Sequence, residues 1–232
     1  MRRIIITALL IIVSLNIKAQ FSCSYYAGYG FYNMSNMKDL MNSAVQIGIS
    51  SGSLPPHAKL VDNFPAFIMH SVDAGYRFSK NEAGLKFSFM TTGSKIAVAD
   101  YSGSYNEKLI TNGYRIGGYY RYYFNNESAN RHSISPFVEL SPALTNANMK
   151  TSGRVVIYNS DNTTTTENAP ELKETRNGFS IQPLVGARFK LYNHFLLTVS
   201  TGYDFEFGAN LGNNYRMDFS RFRINAGIGF TL

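Results

Sequence analysis

Apolar and polar residues alternate with period two over long stretches from Phe64 onward, short and long connections alternate strictly between those stretches, and aromatic side chains gather beside the short ones. Together these observations predict an all-β chain: an eight-stranded antiparallel up-and-down transmembrane β-barrel with a short helix in its first extracellular loop. Strands are predicted over 22–32, 64–79, 84–92, 110–124, 133–146, 178–190, 194–207 and 218–232. Several exceed the five or six residues usual in soluble sheets.

Each strand splits into two unlike faces. One carries Ile68, Val72, Phe87, Ile116, Val138, Val185, Val199 and Ile224, and the other carries the charges and most of the glycines. Period two alone leaves the outward face open, since a soluble lipocalin turns its apolar set inward. Connection lengths decide it. Links at 80–83, 125–132 and 191–193 are short, whereas those at 33–63, 93–109, 147–177 and 208–217 are long, the asymmetry of barrels with tight periplasmic turns and long extracellular loops. Tyr76, Phe78, Tyr119 to Phe124, Phe189, Tyr192, Phe195 and Phe230 lie near the short turns, where amphipathic rings favour the membrane interface.

Composition agrees. Of the 232 residues 16% are charged and 14% aromatic, which argues against disorder. Lys and Arg number 22 against 15 Asp and Glu, but Arg2, Arg3 and Lys18 fall in the first 20 positions and leave about +4 for the rest; no nucleic-acid partner is expected. A single Cys excludes an internal disulfide and a CxxC metal site, and neither metal nor cofactor is predicted.

Met1-Arg2-Arg3, the apolar run Ile4 to Leu15 and the polar stretch Asn16 to Gln20 read as a secretory signal peptide over 1–20. The run is too short for a membrane-spanning helix. A barrel domain over 21–232 follows. Cys23 comes after Gln20-Phe21-Ser22, which lacks the Leu and small residues that precede an acylated Cys.

Three segments repeat a local pattern ahead of a turn, Gly75-Tyr76-Arg77-Phe78, Gly118-Tyr119-Tyr120-Arg121-Tyr122 and Gly186-Ala187-Arg188-Phe189, each with Arg inward and an aromatic outward. At the carboxyl end Asn225-Ala226-Gly227-Ile228-Gly229-Phe230-Thr231-Leu232 is similar, at Asn225, Gly227, Phe230 and Leu232, to the β-signal of Gram-negative outer-membrane proteins, with Leu232 where a terminal aromatic is usual. Over its whole mature length the chain resembles the small eight-stranded outer-membrane barrels of the OmpA-, OmpX- and OmpW-like family. The resemblance implies recognition by the barrel assembly machinery and location in the outer membrane. Outer-membrane lipid and lipopolysaccharide are the expected surroundings of a monomer. It names no ligand.

An eight-stranded barrel is just wide enough for side chains to fill it. The inward charges are of both signs: Asp73, Glu139, Asp204 and Glu206 against Arg77, Lys86, Arg115, Arg121, Arg188, Arg221 and Arg223. Symmetric connections place Asp204 opposite Arg221 with Glu206 one diagonal step away, and Glu139 between Arg115 and Arg121. Buried charges persist only when paired, so the expectation is an ion-pair network closing the lumen and a structural or loop-mediated extracellular role. A narrow conduit is the alternative, for which inward Gly28, Gly30, Gly227 and Gly229 leave space near the closing seam. A lipid-active enzyme is less favoured: His57, His132 and His194 are badly placed, and His70, the one candidate base, has Ser71 on the opposite face.

In the first long loop apolar residues at 34, 37, 40, 41, 44 and 45 fall on one helical face, so a helix is predicted over 34–45, with Ser35 or Asn36 as N-cap and Gly48 at its end. Its Met-rich stripe is expected to pack across the barrel mouth, the alternative being a surface that recruits a partner or lipid. In the third long loop Val155 to Tyr158 extends a hairpin, and Asn159 to Pro170 reads as polar and mobile.

Overall fold

The computed structural model describes residues 20–125, 133–161, 163–191, 194–212 and 215–232, so His132, Tyr192 and the expected leader apart from Gln20 lie outside the described residues. The described elements are β1 (Gln20–Gly30), α1 (Ser35–Ser50), β2 (Lys59–Asn63), β3 (Phe67–Phe78), β4 (Asn81–Asp100), β5 (Gly103–Tyr123) and β6 (Ser133–Tyr158), then β7 (Thr164–Asn168), β8 (Leu172–Lys190), β9 (Phe195–Gly208), β10 (Asn210–Gly212), β11 (Tyr215–Arg216) and β12 (Arg221–Thr231). Eight of them form a closed antiparallel ring, β1-β3-β4-β5-β6-β8-β9-β12 and back to β1. Closure joins Ser22 to Thr231 at one end of the seam and Gly30 to Arg223 at the other.

Alternation sets the two faces. Leu85 and Ile228 are 71% and 64% exposed on the outside, whereas Arg115 and Arg121 are 0% and 1% exposed within. The aromatic distribution differs from the sequence expectation. One girdle does lie by the short turns, with Tyr76, Phe78, Phe124, Phe195 and Phe230, but Phe31, Phe67, Phe179, Phe207 and Phe222 make a second at the opposite end. Two girdles are what two membrane interfaces require.

Strand lengths need the largest correction. The connection expected at 93–109 is strand: β4 and β5 stay paired from Asn81 opposite Tyr122 to Asp100 opposite Gly103. At the tip the Asp100 carboxylate accepts bonds from the Ser102 hydroxyl at 2.6 Å, the Ser102 N–H at 2.8 Å and the Gly103 N–H at 3.2 Å. These donors, the Ser102 hydroxyl first, hold its carboxyl below the usual range. Most of 147–177 is strand as well, because β6 runs on to pair with β8 and then with β7, where Tyr158 meets Thr164 in a segment expected to be mobile. Between β3 and β4 only Ser79 and Lys80 remain as turn, with Ser79 at φ 58°, so the link predicted at 80–83 is shorter than expected.

The extracellular extension is stable because its inner side has a core. Helix α1 buries Met37, Met41 and Val45, which join Phe64, Met69, Met90, Ile96, Leu109, Ala147, Met217 and Phe219 in one apolar cluster. Each large member contributes about 1.5–3 kcal/mol on burial. The Met stripe thus covers the barrel mouth. Its boundaries differ from those predicted: Met34 precedes the helix without a side-chain cap, neither Ser35 nor Asn36 acts as N-cap, and the helix continues through Gly48 to Ser50. Leu54 packs where a Cβ on Gly48 would stand, so the glycine permits a close approach and does not terminate the helix.

Candidate functional site

The lumen is built by the inward residues of the eight ring strands, and its charges sort into two layers. Nearer the short turns, Arg121 on β5 is the hub. Its guanidinium donates to Asp73 on β3 at 3.0 Å, to Glu82 on β4 at 2.9 Å, and to Glu139 on β6 at 2.5 and 2.9 Å. Glu139 also receives Lys86 at 2.7 Å. Glu82 receives Arg188 from β8 at 2.6 and 3.1 Å, and the hydroxyls of Tyr119 and Tyr123, each at 2.7 Å. Asp73 accepts the Tyr26 hydroxyl at 2.9 Å. Three carboxylates therefore meet three cations across the lumen, and aromatic rings of Phe137 and Tyr119 flank the hub guanidinium at 4.6 and 4.9 Å. Arg77 lies at the edge, its guanidinium 3.9 Å over the Tyr123 ring.

The second layer lies toward the mouth. Asp204 on β9 pairs with Arg223 on β12 at 2.5 Å and faces Arg115 on β5 at 3.8 Å. Arg115 donates to Ser180 at 2.7 Å and to the hydroxyl of Ser141 at 3.0 Å as well as its carbonyl. Glu206 accepts the Phe219 N–H at 2.7 Å. Arg223 reaches up to the Phe219 carbonyl at 3.1 Å and the Met90 sulfur at 2.8 Å, which ties this layer to the helix-covered mouth.

Two details differ from the sequence expectation. The register does place Asp204 opposite Arg221. Yet Arg221 is exposed and held at φ 140°, a backbone region suited to glycine, because Phe219 and Ser220 both turn inward just before it. The salt bridge predicted from Asp204 to Arg221 is thus corrected to one with Arg223. Arg221→Gly is accordingly expected to stabilise the barrel by up to about 1 kcal/mol in urea titrations, relieving strain without costing an ion pair; destabilisation would restore the original assignment. The second detail is Glu82, which falls within the link predicted at 80–83 and stands buried on β4. Extending the even-numbered inward parity of Lys86 and Ser88 through a two-residue hairpin would have found it.

The space expected beside the seam glycines is filled. A Cβ on Gly28 would collide with the Asn225 side chain, and one on Gly227 with the Tyr26 ring; Tyr32 and Ser24 occupy the places beside Gly30 and Gly229. Of the terminal motif, Asn225 points inward to Ser200 at 3.4 Å, Gly227 admits Tyr26, Phe230 faces outward against Phe195 and His194, and the Leu232 N–H bonds Phe21 at 2.9 Å. His70 lies outside, its Nδ1 2.6 Å from the Tyr25 hydroxyl, while Ser71 points inward to Ser88 at 2.8 Å. Among the described residues no three of His, Cys, Asp and Glu are arranged to hold a metal ion.

No family model matches the sequence, nor does any curated protein. Solved structures with a similar fold include three small barrels. Ail, the attachment invasion locus protein of Yersinia pestis, solved in complex with the heparin analogue sucrose octasulfate, is 11% identical, covering 92% of this chain and 99% of that one, with a TM-score of 0.37. The N-terminal β-barrel domain of Pseudomonas aeruginosa OprF gives 12%, 93%, 100% and 0.39, and Neisserial surface protein A gives 13%, 91%, 97% and 0.38. The closed ring, its apolar exterior and its two girdles decide the architecture. It is that of the small eight-stranded outer-membrane β-barrels.

Proposed function

We propose that this chain is a monomeric outer-membrane protein whose lumen is closed by its own side chains and whose task, structural or adhesive, is carried by its extracellular sheet and loops. The observation that supports this is the crossing of the lumen by Arg121, bonded to carboxylates on β3, β4 and β6. An open pore would need those ion pairs to part, at the cost of leaving charges uncompensated in a narrow, mostly protein-filled space. The strands that continue beyond the girdles present a rigid surface in place of a mobile loop.

In this reading the leader over 1–20 directs export, the assembly machinery recognises Asn225, Gly227, Phe230 and Leu232, and outer-membrane lipid and lipopolysaccharide surround the barrel. No catalysis is assigned, since His70 bonds Tyr25 on the lipid side and the neighbouring hydroxyl of Ser71 is committed inside. Reconstituted into planar bilayers, protein with heat-modifiable gel migration is expected to give no discrete conductance steps. Reproducible steps that survive purification would overturn the closed-lumen reading. Absence of the heat-modifiable band from the outer-membrane fraction would overturn the location.

A further inference from the structure

Outward residues of the extracellular extension place like charges together. Across β4 and β5, Lys95 is directly opposite Lys108, and Lys108 is opposite Ser152 on β6 with Lys150 and Arg154 at its two diagonals. Directly opposed like charges destabilise a sheet unless something between them is negative. Lys150 pairs with Glu171, which also pairs with Lys173. Among the described residues Lys95, Lys108 and Arg154 make no ion pair, and Asp62 lies opposite Lys95 on β2.

Beneath these lysines lies an outward groove of about 490 Å³. Lys95, Lys108 and Asp62 line its upper part, and Pro65, Phe67 and Ile110 line it as well. Phe67 and Ile110 are 47% and 40% exposed, and Phe67 belongs to the upper aromatic girdle. Cationic headgroup partners therefore stand directly above an apolar trough that runs into the hydrocarbon band. A soluble polyanion would satisfy the lysines and leave Phe67 and Ile110 bare. An amphiphile satisfies both.

We propose that this groove binds an outer-leaflet lipid through a phosphate on its headgroup, with Lys95 and Lys108 as phosphate ligands and an acyl chain lying over Phe67 and Ile110. Asp62 stands at the rim as a repulsive element that limits affinity. The proposal rests on the membrane-spanning reading above.

The test uses the full folded chain in a zwitterionic detergent, with dioleoyl phosphatidic acid as probe and native mass spectrometry to count retained lipid. Phosphatidic acid should be retained in preference to phosphatidylcholine. Lys95→Ala with Lys108→Ala should weaken retention about tenfold or more, and Asp62→Asn should strengthen it. Inorganic phosphate at millimolar concentration should not displace the lipid. Equal retention by the double variant, or of phosphatidylcholine, overturns the proposal, and displacement by inorganic phosphate reduces it to a headgroup site without a lipid. Heat-modifiable migration of each variant reports the barrel separately, so a folded, membrane-inserted protein that ignores the probe sinks this inference alone.

Discussion

Arg121→Ala is expected to destabilise the barrel by about 3–5 kcal/mol or more, the cost of removing one partner from a buried ionic group. The effect belongs at the upper end because a single guanidinium serves Asp73, Glu82 and Glu139, and its loss takes an ion-pair partner from all three at once. Arg121→Lys should fall between the variant and the wild type, since it keeps the charge and loses the planar fork that reaches several acceptors at once. Glu82→Gln offers an independent probe of the same layer, because it removes the countercharge of Arg188 while keeping the shape. Urea midpoints of protein refolded into phosphocholine vesicles measure all three. A change under about 1 kcal/mol for Arg121→Ala would mean that water, not the network, fills this part of the lumen.

Val199→Arg should cost about 2–4 kcal/mol in the same assay, the penalty for a cation on the lipid face near mid-depth of a transmembrane barrel. Val199 is 51% exposed and lies on β9 between Phe195 in one girdle and Phe207 in the other, so an arginine there must reach far to find water. The adjacent Thr198 points inward and is 1% exposed, which makes the pair a direct test of which side is outside. A soluble barrel would give the opposite result, with little cost for a charge at the exposed Val199. Insensitivity of the urea midpoint to Val199→Arg would mean that Val199 does not face hydrocarbon.

What the sequence made legible follows from contrast. Inside the membrane, neighbouring positions such as Val72 and Asp73, or Ile116 and Arg115, differ so sharply in polarity that a period of two assigns both faces. Register was nearly as accessible: Asp204 does sit opposite Arg221, and Glu139 falls one pair from its expected position, opposite Arg121. Beyond the girdles the contrast fades. There Lys95, Lys108 and Ser152 face water on one side, so 93–109 looks like loop although all of it but the Tyr101-Ser102 tip is strand. Its inner residues Ile96 and Leu109 are covered by α1, a tertiary partner that no local pattern reveals. Arg221 escaped for a different reason, since one positive φ at the start of β12 reverses the parity that sequence spacing assumes.

The seam between β1 and β12 carries a kinetic consequence. Ser22 and Thr231 come from opposite ends of the described chain, so their ladder is the pairing with the greatest loop-closure cost, and such non-local contacts are slow to form. Every other ring junction joins strands closer in sequence. The cylinder should therefore zip progressively around its circumference and lock at this junction last. Until then Tyr26 has no Gly227 to lie against, and two bare strand edges await a catalyst of closure.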